Sequence, residues 1–324
     1  MHLRLTASGL AWNDEVPPPR VVACLDSVLR GIGQVMLQDN SYAGLLFLVG
    51  ILWNSPLFAI GALLGTSVST ATALLLGADR TTVRAGLYGY NGALVAIALL
   101  YFLRPDALTW GCVVLAAAGT TILQAAFARM LDTWKLPALT APFVLVSLCA
   151  FLAAARFGRL ETTQLLPTAG LPRSVAVEGI VTAATVVQGL FNGVAQVFFQ
   201  GNVVTGLCFA LGLLISSRLA CLAALTGSLT GLLVAWGMGA AEPAIRAGAF
   251  GFNSTLVAIA LAGMLVRGAA STAYTLLATI AAAFVFAALS AALEPLGMPA
   301  LTFPFVLVTW CCLLASPHFG RLRT

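Results

Sequence analysis

Long apolar stretches, separated by short polar or charged breaks, make up most of this chain. The longest lie at residues 57–77, 85–103, 107–128, 137–155, 219–238, 248–266, 270–292 and 299–315. An α-helix needs about 20 apolar residues to cross a hydrocarbon core of about 30 Å. Because these stretches are continuously apolar and do not alternate, they predict an all-α protein that crosses a membrane many times.

Shorter apolar pieces surround a polar break near the start of the chain, and a similar break recurs later. Residues 22–38 end at Asp39-Asn40 and are followed by residues 42–53, while residues 203–215 follow an equivalent break. Irregular backbone at membrane depth is tolerated only against protein or a water-filled path. The pattern therefore predicts discontinuous membrane elements at both places.

The whole pattern occurs twice, with a constant offset of 162 residues in a chain of 324. Residues 137–146 read PALTAPFVLV and residues 299–308 read PALTFPFVLV, so nine of ten positions are identical. The block Leu94 to Leu99 recurs unchanged as Leu256 to Leu261. Duplication of this kind is typical of transport proteins, in which the solute path lies where the repeats meet.

The repeat divides the chain into four parts. Residues 1–20 are predicted to be a loose, exposed tail without a cleaved signal peptide. Residues 21–160 form the first membrane repeat, residues 161–186 a linker, and residues 187–322 the second membrane repeat.

Composition agrees with a membrane protein and argues against other classes. Hydrophobic residues are 60% and charged residues 8% of the chain, whereas soluble domains carry about 25% charged residues. The net charge of +5 comes from single basic residues at the ends of apolar stretches, which form no patch for nucleic acid. No metal-ligand spacing and no nucleophile paired with a base occurs, so neither an enzyme nor a cofactor is predicted.

Charge distribution orients the termini but leaves the number of crossings open. The repeats are inverted if each crosses the membrane five times, with the broken pair as one crossing; if the short pieces are re-entrant, each repeat crosses four times. Either way, ten basic residues lie on the side of the termini and five on the other, so the positive-inside rule places both termini in the cytoplasm. With five crossings, the ten are Arg4, Arg20, Arg80, Arg84, Arg129, Lys135, Arg218, Arg267, Arg321 and Arg323, and the five are Arg104, Arg156, Arg159, Arg173 and Arg246.

Thr140 and Thr302 are the first candidates for lining a solute path. Each lies between two prolines inside an apolar stretch, and proline lacks an N–H, so nearby carbonyls lose their helical partner. A threonine on a membrane helix often bonds back to its own helix instead. Because unpaired carbonyls at membrane depth must meet something polar, and because the pair recurs, we favour an oxygen-rich lining.

Glutamines and aromatic residues at repeated positions give further candidates. Gln34 and Gln196 precede the breaks; they either cap a helix at the membrane surface or lie at a helix end whose free carbonyls face the path. Tyr90 and Phe252 belong to repeated Gly-x-Asn blocks; they, and Phe199, either pack the core or restrict the path to flat solutes.

Ionisable residues inside predicted membrane segments are few. The candidates are Asp26, Arg30, Asp39 and Glu178, and no pair of them is duplicated in the repeat. Ion-coupled transporters and proton relays depend on such residues. The pattern therefore favours passive movement of a neutral solute.

The repeated blocks also resemble those of a known family. Residues 136–143, Leu-Pro-x-x-Thr-x-Pro-Phe, resemble the signature of the urea transporter family, and this block occurs twice, with Met298 as the first residue of the second copy. The Gln-Val-x-Phe-x-x-Asn and Gly-x-Asn-x-x-Leu-Val blocks are similar to that family as well. The resemblance covers residues 25–160 and 187–322.

The resemblance implies a homotrimer in a plasma or inner membrane with one pore per subunit. Each subunit would contain two inverted repeats of five transmembrane helices and one half-spanning pore helix, with the pore at their pseudo-twofold interface. Urea would move down its gradient between oxygen ladders and apolar or aromatic walls. By motif position, the ladder residues are Gln34, Val35, Thr140, Gln196, Val197 and Thr302, and the wall residues are Leu37, Tyr90, Leu94, Phe199, Phe252 and Leu256.

Three positions bear on selectivity within that resemblance. Leu37 and Tyr90 stand where the family often has phenylalanine, which removes one ring and adds one hydroxyl. Some bacterial relatives have glutamate where this chain has Gln196, so its filter is expected to be uncharged. The alternatives are a passive channel for ammonia, water or amides and, less favoured, an ion-coupled transporter.

Overall fold

The computed structural model describes residues 4–6, 8–11, 19–172 and 177–322 of the chain. A hairpin of strands β1 (Arg4–Thr6) and β2 (Gly9–Ala11) precedes fourteen α-helices in these described ranges. The first seven are α1 (Arg20–Gln34), α2 (Ser41–Asn54), α3 (Pro56–Leu75), α4 (Arg80–Arg84), α5 (Tyr90–Phe102), α6 (Ala107–Leu131) and α7 (Ala141–Ala154). The second seven are α8 (Ala183–Ala195), α9 (Val203–Ser216), α10 (Arg218–Gly237), α11 (Glu242–Arg246), α12 (Gly251–Met264), α13 (Ala269–Leu293) and α14 (Phe303–Ala315). Short 3₁₀ turns cover Asp132–Trp134, Gln196–Phe198, Glu294–Leu296 and Ser316–His318.

The prediction of a loose tail is wrong for the described part of residues 1–20. Strands β1 and β2 pair antiparallel, with Leu5 opposite Leu10. The carbonyl of Ser8, in the turn between them, accepts a hydrogen bond of 3.2 Å from the backbone N–H of Ser41. The start of α2 therefore anchors the hairpin. Residues 1–3, 7 and 12–18 of the predicted tail lie outside the described residues.

The predicted polar break separates α1 from α2. Leu37 has a left-handed backbone with φ of 60°, which turns the chain back on itself. The side chain of Asn40 then caps α2 by accepting hydrogen bonds from the backbone N–H groups of Tyr42 (2.9 Å) and Ala43 (3.1 Å). Asn202 caps α9 in the same way, and α8 and α9 bend by 73° at that break.

A glycine turn interrupts one stretch that was predicted as a single helix. Within residues 85–103, α5 begins only at Tyr90. Gly86 has a φ of 76°, and a side chain there would overlap the backbone of Gly31 in α1. Gly248 makes the equivalent turn against α8. Hydropathy does not reveal such turns, because the residues around them remain apolar.

Five of the described helical segments are long and apolar enough to cross a membrane. They are Pro56–Leu75, Ala107–Trp134, Arg218–Gly237, Glu242–Met264 and Ala269–Leu296. The bent pair α8–α9 raises the number to six if it counts as one span, and α2, α5, α7 and α14 are shorter apolar helices. The prediction of a helical, multi-pass membrane protein is confirmed. The number of described helices that are long enough to span a membrane is smaller than the ten crossings predicted for two repeats of five.

Helices α5 and α12 lie at the centre of the molecule. In α5 every residue from Tyr90 to Leu100 is buried, and most of α12 is buried as well. A helix that is apolar on all sides belongs in the interior. The long helices α6 and α13 lie outside, and their equivalent residues Leu115 and Leu277 are exposed by 74% and 63%. These outer surfaces are apolar, as contact with lipid requires.

Helices α2 and α9 contact each other through equivalent residues. A Cβ atom on Gly50 would lie 2.9 Å from the ring of Phe209, and one on Gly212 would lie 2.7 Å from the ring of Phe47. Since Gly212 and Phe209 are the 162-residue counterparts of Gly50 and Phe47, each contact is the counterpart of the other. Reciprocal contacts of this kind are what a twofold axis produces.

Candidate functional site

Thr140 and Thr302 meet at the centre of the protein. Their hydroxyl oxygens lie 2.6 Å apart, and the two residues are only 2% and 3% exposed. Each precedes the first residue of a helix, α7 or α14, with proline as the second helical residue. Helices α7 and α14 therefore begin four residues after the starts that the sequence predicted, at residues 137 and 299. The alternative, in which each hydroxyl bonds back to its own helix, is wrong.

The segments before the threonines have an unusual backbone that side chains of the central helices hold in place. Leu139 and Leu301 both have φ of 51°, in the left-handed region that costs non-glycine residues energy. Asn91 on α5 donates to the Leu139 carbonyl (3.3 Å) and accepts from the N–H of Phe143 (3.1 Å). Asn253 on α12 makes the equivalent bonds, of 3.2 and 3.0 Å. These asparagines supply partners for backbone groups that the helix breaks set free.

Gln34 and Gln196 are fixed at the ends of α1 and α8 by matching hydrogen bonds. The amide nitrogen of Gln34 donates to the Ala85 carbonyl (2.8 Å), and that of Gln196 donates to the Ala247 carbonyl (3.1 Å). Since the nitrogen is engaged in each case, the side-chain oxygen remains as an acceptor. Both glutamines therefore contribute oxygens near the breaks, and neither serves only as a helix cap.

Two vestibules open on either side of the threonine pair. The first has a volume of about 860 Å³, and the second has a volume of about 770 Å³. Their linings correspond through the 162-residue repeat, including Gln34 with Gln196, Leu37 with Phe199, Tyr90 with Phe252, Gln124 with Phe286, and Leu139 with Leu301. Leu139 precedes Thr140, and Thr302 lines the second vestibule. The threonine contact thus lies between the two cavities.

The structure distributes the predicted ladder and wall residues unevenly. Those that line the first vestibule are Gln34, Leu37 and Tyr90, and those that line the second are Gln196, Val197, Phe199, Phe252 and Thr302. Thr140 reaches this set through its contact with Thr302. Val35, Leu94 and Leu256 are buried and line neither vestibule.

Aromatic rings concentrate at the second vestibule. Phe199 lies 5.4 Å from the ring of Tyr101, 5.9 Å from that of Phe102 and 6.3 Å from that of Phe143. At the first vestibule, the counterparts of Phe199, Tyr101 and Phe102 are Leu37, Gly263 and Met264. The first vestibule is therefore aliphatic where the second is aromatic.

Sequence reasoning missed Gln124 and its counterpart Phe286. The Tyr90 hydroxyl lies 2.7 Å from the Leu139 carbonyl and 3.1 Å from the Gln124 side-chain oxygen. Phe286 instead packs edge-on against Phe252, with ring centroids 5.4 Å apart. The sequence did carry a signal for this pair: Gln124 is an amide within the long apolar stretch 107–128, and its counterpart 162 positions later is aromatic.

The charged candidates lie away from both vestibules. Arg30 donates to Asp26 (2.7 Å) and to Asp39 (2.6 Å), so these three form one ion-pair network. None of the three lines a vestibule, and Glu178 lines neither. In the described part of the chain, no group of three or more acidic, histidine or cysteine side chains could hold a metal ion. The charges among the described residues that line the vestibules are Asp132 and Lys135 in the first and Glu294 in the second.

This fold and this site define a multi-pass membrane protein with a candidate solute path at its centre. A family model described as Urea transporter matches residues 25–317. Urea transporter 1 from Ovis aries is 35% identical over 303 residues, which are 92% of this chain and 78% of that protein. Urea transporter 1 from Mus musculus is 35% identical over 315 residues, with coverage of 94% and 81%. The chain belongs to the urea transporter family.

Proposed function

We propose that this chain is a channel through which urea crosses a membrane down its concentration gradient. The path leads from one vestibule to the other past Thr140 and Thr302. The observation that carries the proposal is the 2.6 Å contact of these two hydroxyls between two cavities lined by equivalent residues. Family membership and similarity to the urea transporters named above support the choice of solute.

The oxygens near the path suit the hydrogen-bonding groups of urea. Urea is flat and neutral, with four N–H bonds and one carbonyl. Losing a hydrogen bond to water costs about 1–3 kcal/mol if no new partner replaces it. The side-chain oxygens of Gln34 and Gln196 and the hydroxyls of Thr140 and Thr302 offer acceptors in succession. As urea passes, its N–H groups would donate to the threonine hydroxyl oxygens, and these bonds would replace the one between the two threonines.

The apolar walls suit the shape of urea and disfavour ions. Phe199 and Phe252 present rings at the second vestibule, and Leu37 and Tyr90 occupy the equivalent positions at the first. A hydrated ion has no partner on such walls to replace its water, so that its entry is costly. Leu94 and Leu256 are assigned to the walls by sequence only, as Val35 is to the ladder.

Passive movement follows from where the charges lie. The network of Asp26, Arg30 and Asp39 lines neither vestibule, and the repeat contains no counterpart of it. Three charged residues do line the vestibules, in or beside the 3₁₀ turns that follow α6 and α13: Asp132, Lys135 and Glu294. A proton- or sodium-coupled transporter needs an ionisable group in the buried part of the solute path that binds the coupling ion, and the threonine pair and its neighbours provide none. We therefore assign no driving ion to this protein.

The proposed architecture is that of two inverted repeats in a homotrimer. The reciprocal contacts of Gly50 with Phe209 and of Gly212 with Phe47 support a pseudo-twofold axis between the repeats. The apolar outer surfaces of α6 and α13 offer contact to lipid and to neighbouring subunits. We assign the protein to a plasma or inner membrane, with both termini in the cytoplasm by the distribution of basic residues.

Stopped-flow light scattering on proteoliposomes tests the proposal. Urea permeability should exceed that of empty vesicles, and a double variant Thr140→Val/Thr302→Val at equal protein density provides the matched control. Permeability equal to that of empty vesicles would reject a urea channel. The same vesicles report water and ammonia, so that a rise in either without urea would favour the alternative channel. A requirement for a proton or sodium gradient would instead indicate a coupled transporter.

A further inference from the structure

Gln124 breaks the equivalence of the two vestibules. It lies on α6, is partly exposed and lines the first vestibule, whereas its counterpart Phe286 lines the second. Phe286 packs edge-on against both Phe250 and Phe252, at 5.4 Å in each case. An amide at one position and a phenyl ring at the other give the two ends of the path different chemistry.

The orientation of the Gln124 amide follows from its neighbours. The side-chain oxygen of Asn91 accepts from the backbone N–H of Phe143 (3.1 Å), which fixes the Asn91 amide so that its nitrogen points the other way. That nitrogen lies 3.0 Å from Gln124 and must donate, so Gln124 presents its oxygen there. The Tyr90 hydroxyl lies 3.1 Å from the same oxygen.

The amide nitrogen of Gln124 is consequently available to a solute. With its oxygen turned toward Asn91 and Tyr90, the nitrogen carries two N–H donors for which the described residues provide no acceptor. It is not sealed in the interior, because Gln124 lines the first vestibule. Gln34 lines the same cavity and presents its side-chain oxygen, since its nitrogen is bonded to Ala85. The first vestibule therefore combines an acceptor with a donor.

We propose that Gln124 is a specificity-determining residue that donates its amide hydrogens to the carbonyl oxygen of urea in the first vestibule. This inference rests on the proposed function. Asn91 and Tyr90 act as positioning residues, which hold the Gln124 oxygen and leave the nitrogen to the solute. The second vestibule has no such donor at the equivalent position, where Phe286 stands. Recognition of the carbonyl thus occurs at one end of the path.

Urea and thiourea distinguish this role from a general effect on the pore. Both carry the same N–H groups, but the sulfur of thiourea is a much weaker hydrogen-bond acceptor than oxygen. The ratio of urea to thiourea permeability, measured in proteoliposomes, should fall about threefold to tenfold in Gln124→Met, the range that one neutral hydrogen bond provides. Leu115→Met, a control on the exposed face of the same helix, should leave that ratio within about twofold of wild type, because Leu115 lines neither vestibule.

Tyr90→Phe tests the positioning role. It should lower the same ratio, but by less than Gln124→Met does, and it should have no further effect in the Gln124→Met background. A purely structural role of the hydroxyl would change the unfolding temperature and both permeabilities together, without altering their ratio.

The outcomes separate this inference from the proposed function. If wild type conducts urea and Gln124→Met keeps the wild-type ratio, the inference is overturned while the urea channel stands. If wild type does not conduct urea, the proposed function fails and this inference with it. Should Gln124→Met fail to fold, Gln124→Glu decides: its carboxylate keeps an acceptor for Asn91 and Tyr90 but carries no N–H donor, so the ratio should fall, and an unchanged ratio overturns the inference.

Discussion

The hydroxyl oxygens of Thr140 and Thr302 lie 2.6 Å apart although the residues are 162 positions apart in the chain. Each threonine is thus the main polar partner of the other in a buried environment. A single substitution leaves one buried hydroxyl without its partner, whereas a double substitution removes both. Comparing single and double variants therefore distinguishes the contribution of the pair to stability from its contribution to transport.

A double-mutant cycle on these threonines tests both properties. Thr140→Val or Thr302→Val alone should lower the free energy of unfolding by about 1–3 kcal/mol, because the remaining hydroxyl is buried without its partner. The double variant should be no less stable than either single one, since both hydroxyls are gone. Urea flux should nevertheless be lowest in the double variant. Thermal unfolding in detergent and stopped-flow flux measure the two quantities, and additive losses of stability would contradict this account.

The sequence predicts the meeting of these threonines because the repeat keeps one register throughout. Because the offset is constant, equivalent residues occupy equivalent positions in the two repeats. A twofold axis between the repeats then brings together equivalent residues that lie close to it. Hydropathy likewise predicts most helices to within a few residues, since apolar length determines membrane spans. The start of α5 at Tyr90 was not predictable in this way, because Gly86 sets it through its backbone conformation.

Contacts between neighbouring helices were out of reach of the sequence. The bond between Tyr90 and Gln124 depends on which side of α6 faces α5, and the hydrophobic pattern of an apolar helix does not encode that rotation. The hairpin around Ser8 is anchored by the backbone N–H and the hydroxyl of Ser41, which both donate to the Ser8 carbonyl, and the sequence carries no pattern for this contact. The chemistry that distinguishes the two vestibules therefore required the structure.

Two glycines on the short helices that follow the polar breaks, α2 and α9, should tolerate no side chain. A Cβ atom added to Gly44, on α2, would overlap the carbonyl of Leu29. A Cβ atom added to its counterpart Gly206, on α9, would overlap the carbonyl of Phe191. Because both obstacles are backbone atoms, Gly44→Ala and Gly206→Ala should each destabilise the protein by about 1–3 kcal/mol or more.

Gly119, in the middle of α6, provides the matched control for that prediction. A Cβ there meets nothing within 4 Å, so Gly119→Ala should raise the free energy of unfolding by about 0.5–1 kcal/mol. Unfolding temperatures in detergent compare the three variants. Equal stability of Gly44→Ala and Gly119→Ala would show that α1 and α2 do not pack as closely as described.

Transport should change little with pH near neutrality. The described residues that line the two vestibules include neither histidine nor cysteine, and histidine is the side chain that ordinarily changes charge in this range. Urea flux at about pH 6 and at about pH 8 should therefore agree to within about twofold. Proteoliposomes with equal pH on both sides provide the measurement. A bell-shaped or steep dependence would contradict this prediction and point to a group on the path that changes charge near neutral pH.

The difference between Leu37 and Phe199 should decide which end of the path excludes larger solutes. Both residues have the same left-handed backbone, with φ of 60°, so that exchanging their side chains leaves the backbone unchanged. Phe199 contacts the rings of Tyr101 and Phe102, whereas the counterparts of those rings beside Leu37 are Gly263 and Met264. We therefore expect the second vestibule to set the size limit.

Phe199→Leu and Leu37→Phe test this with N-methylurea, which is urea with one added methyl group. Phe199→Leu should raise the ratio of N-methylurea to urea permeability by about tenfold, the lower end of what one methyl group is worth in an apolar site. Leu37→Phe should lower it, because a ring then narrows the aliphatic vestibule. Stopped-flow flux of both solutes in the same vesicles gives the ratio, which corrects for protein density. If Leu37→Phe changed the ratio and Phe199→Leu did not, the first vestibule would be the size-limiting one.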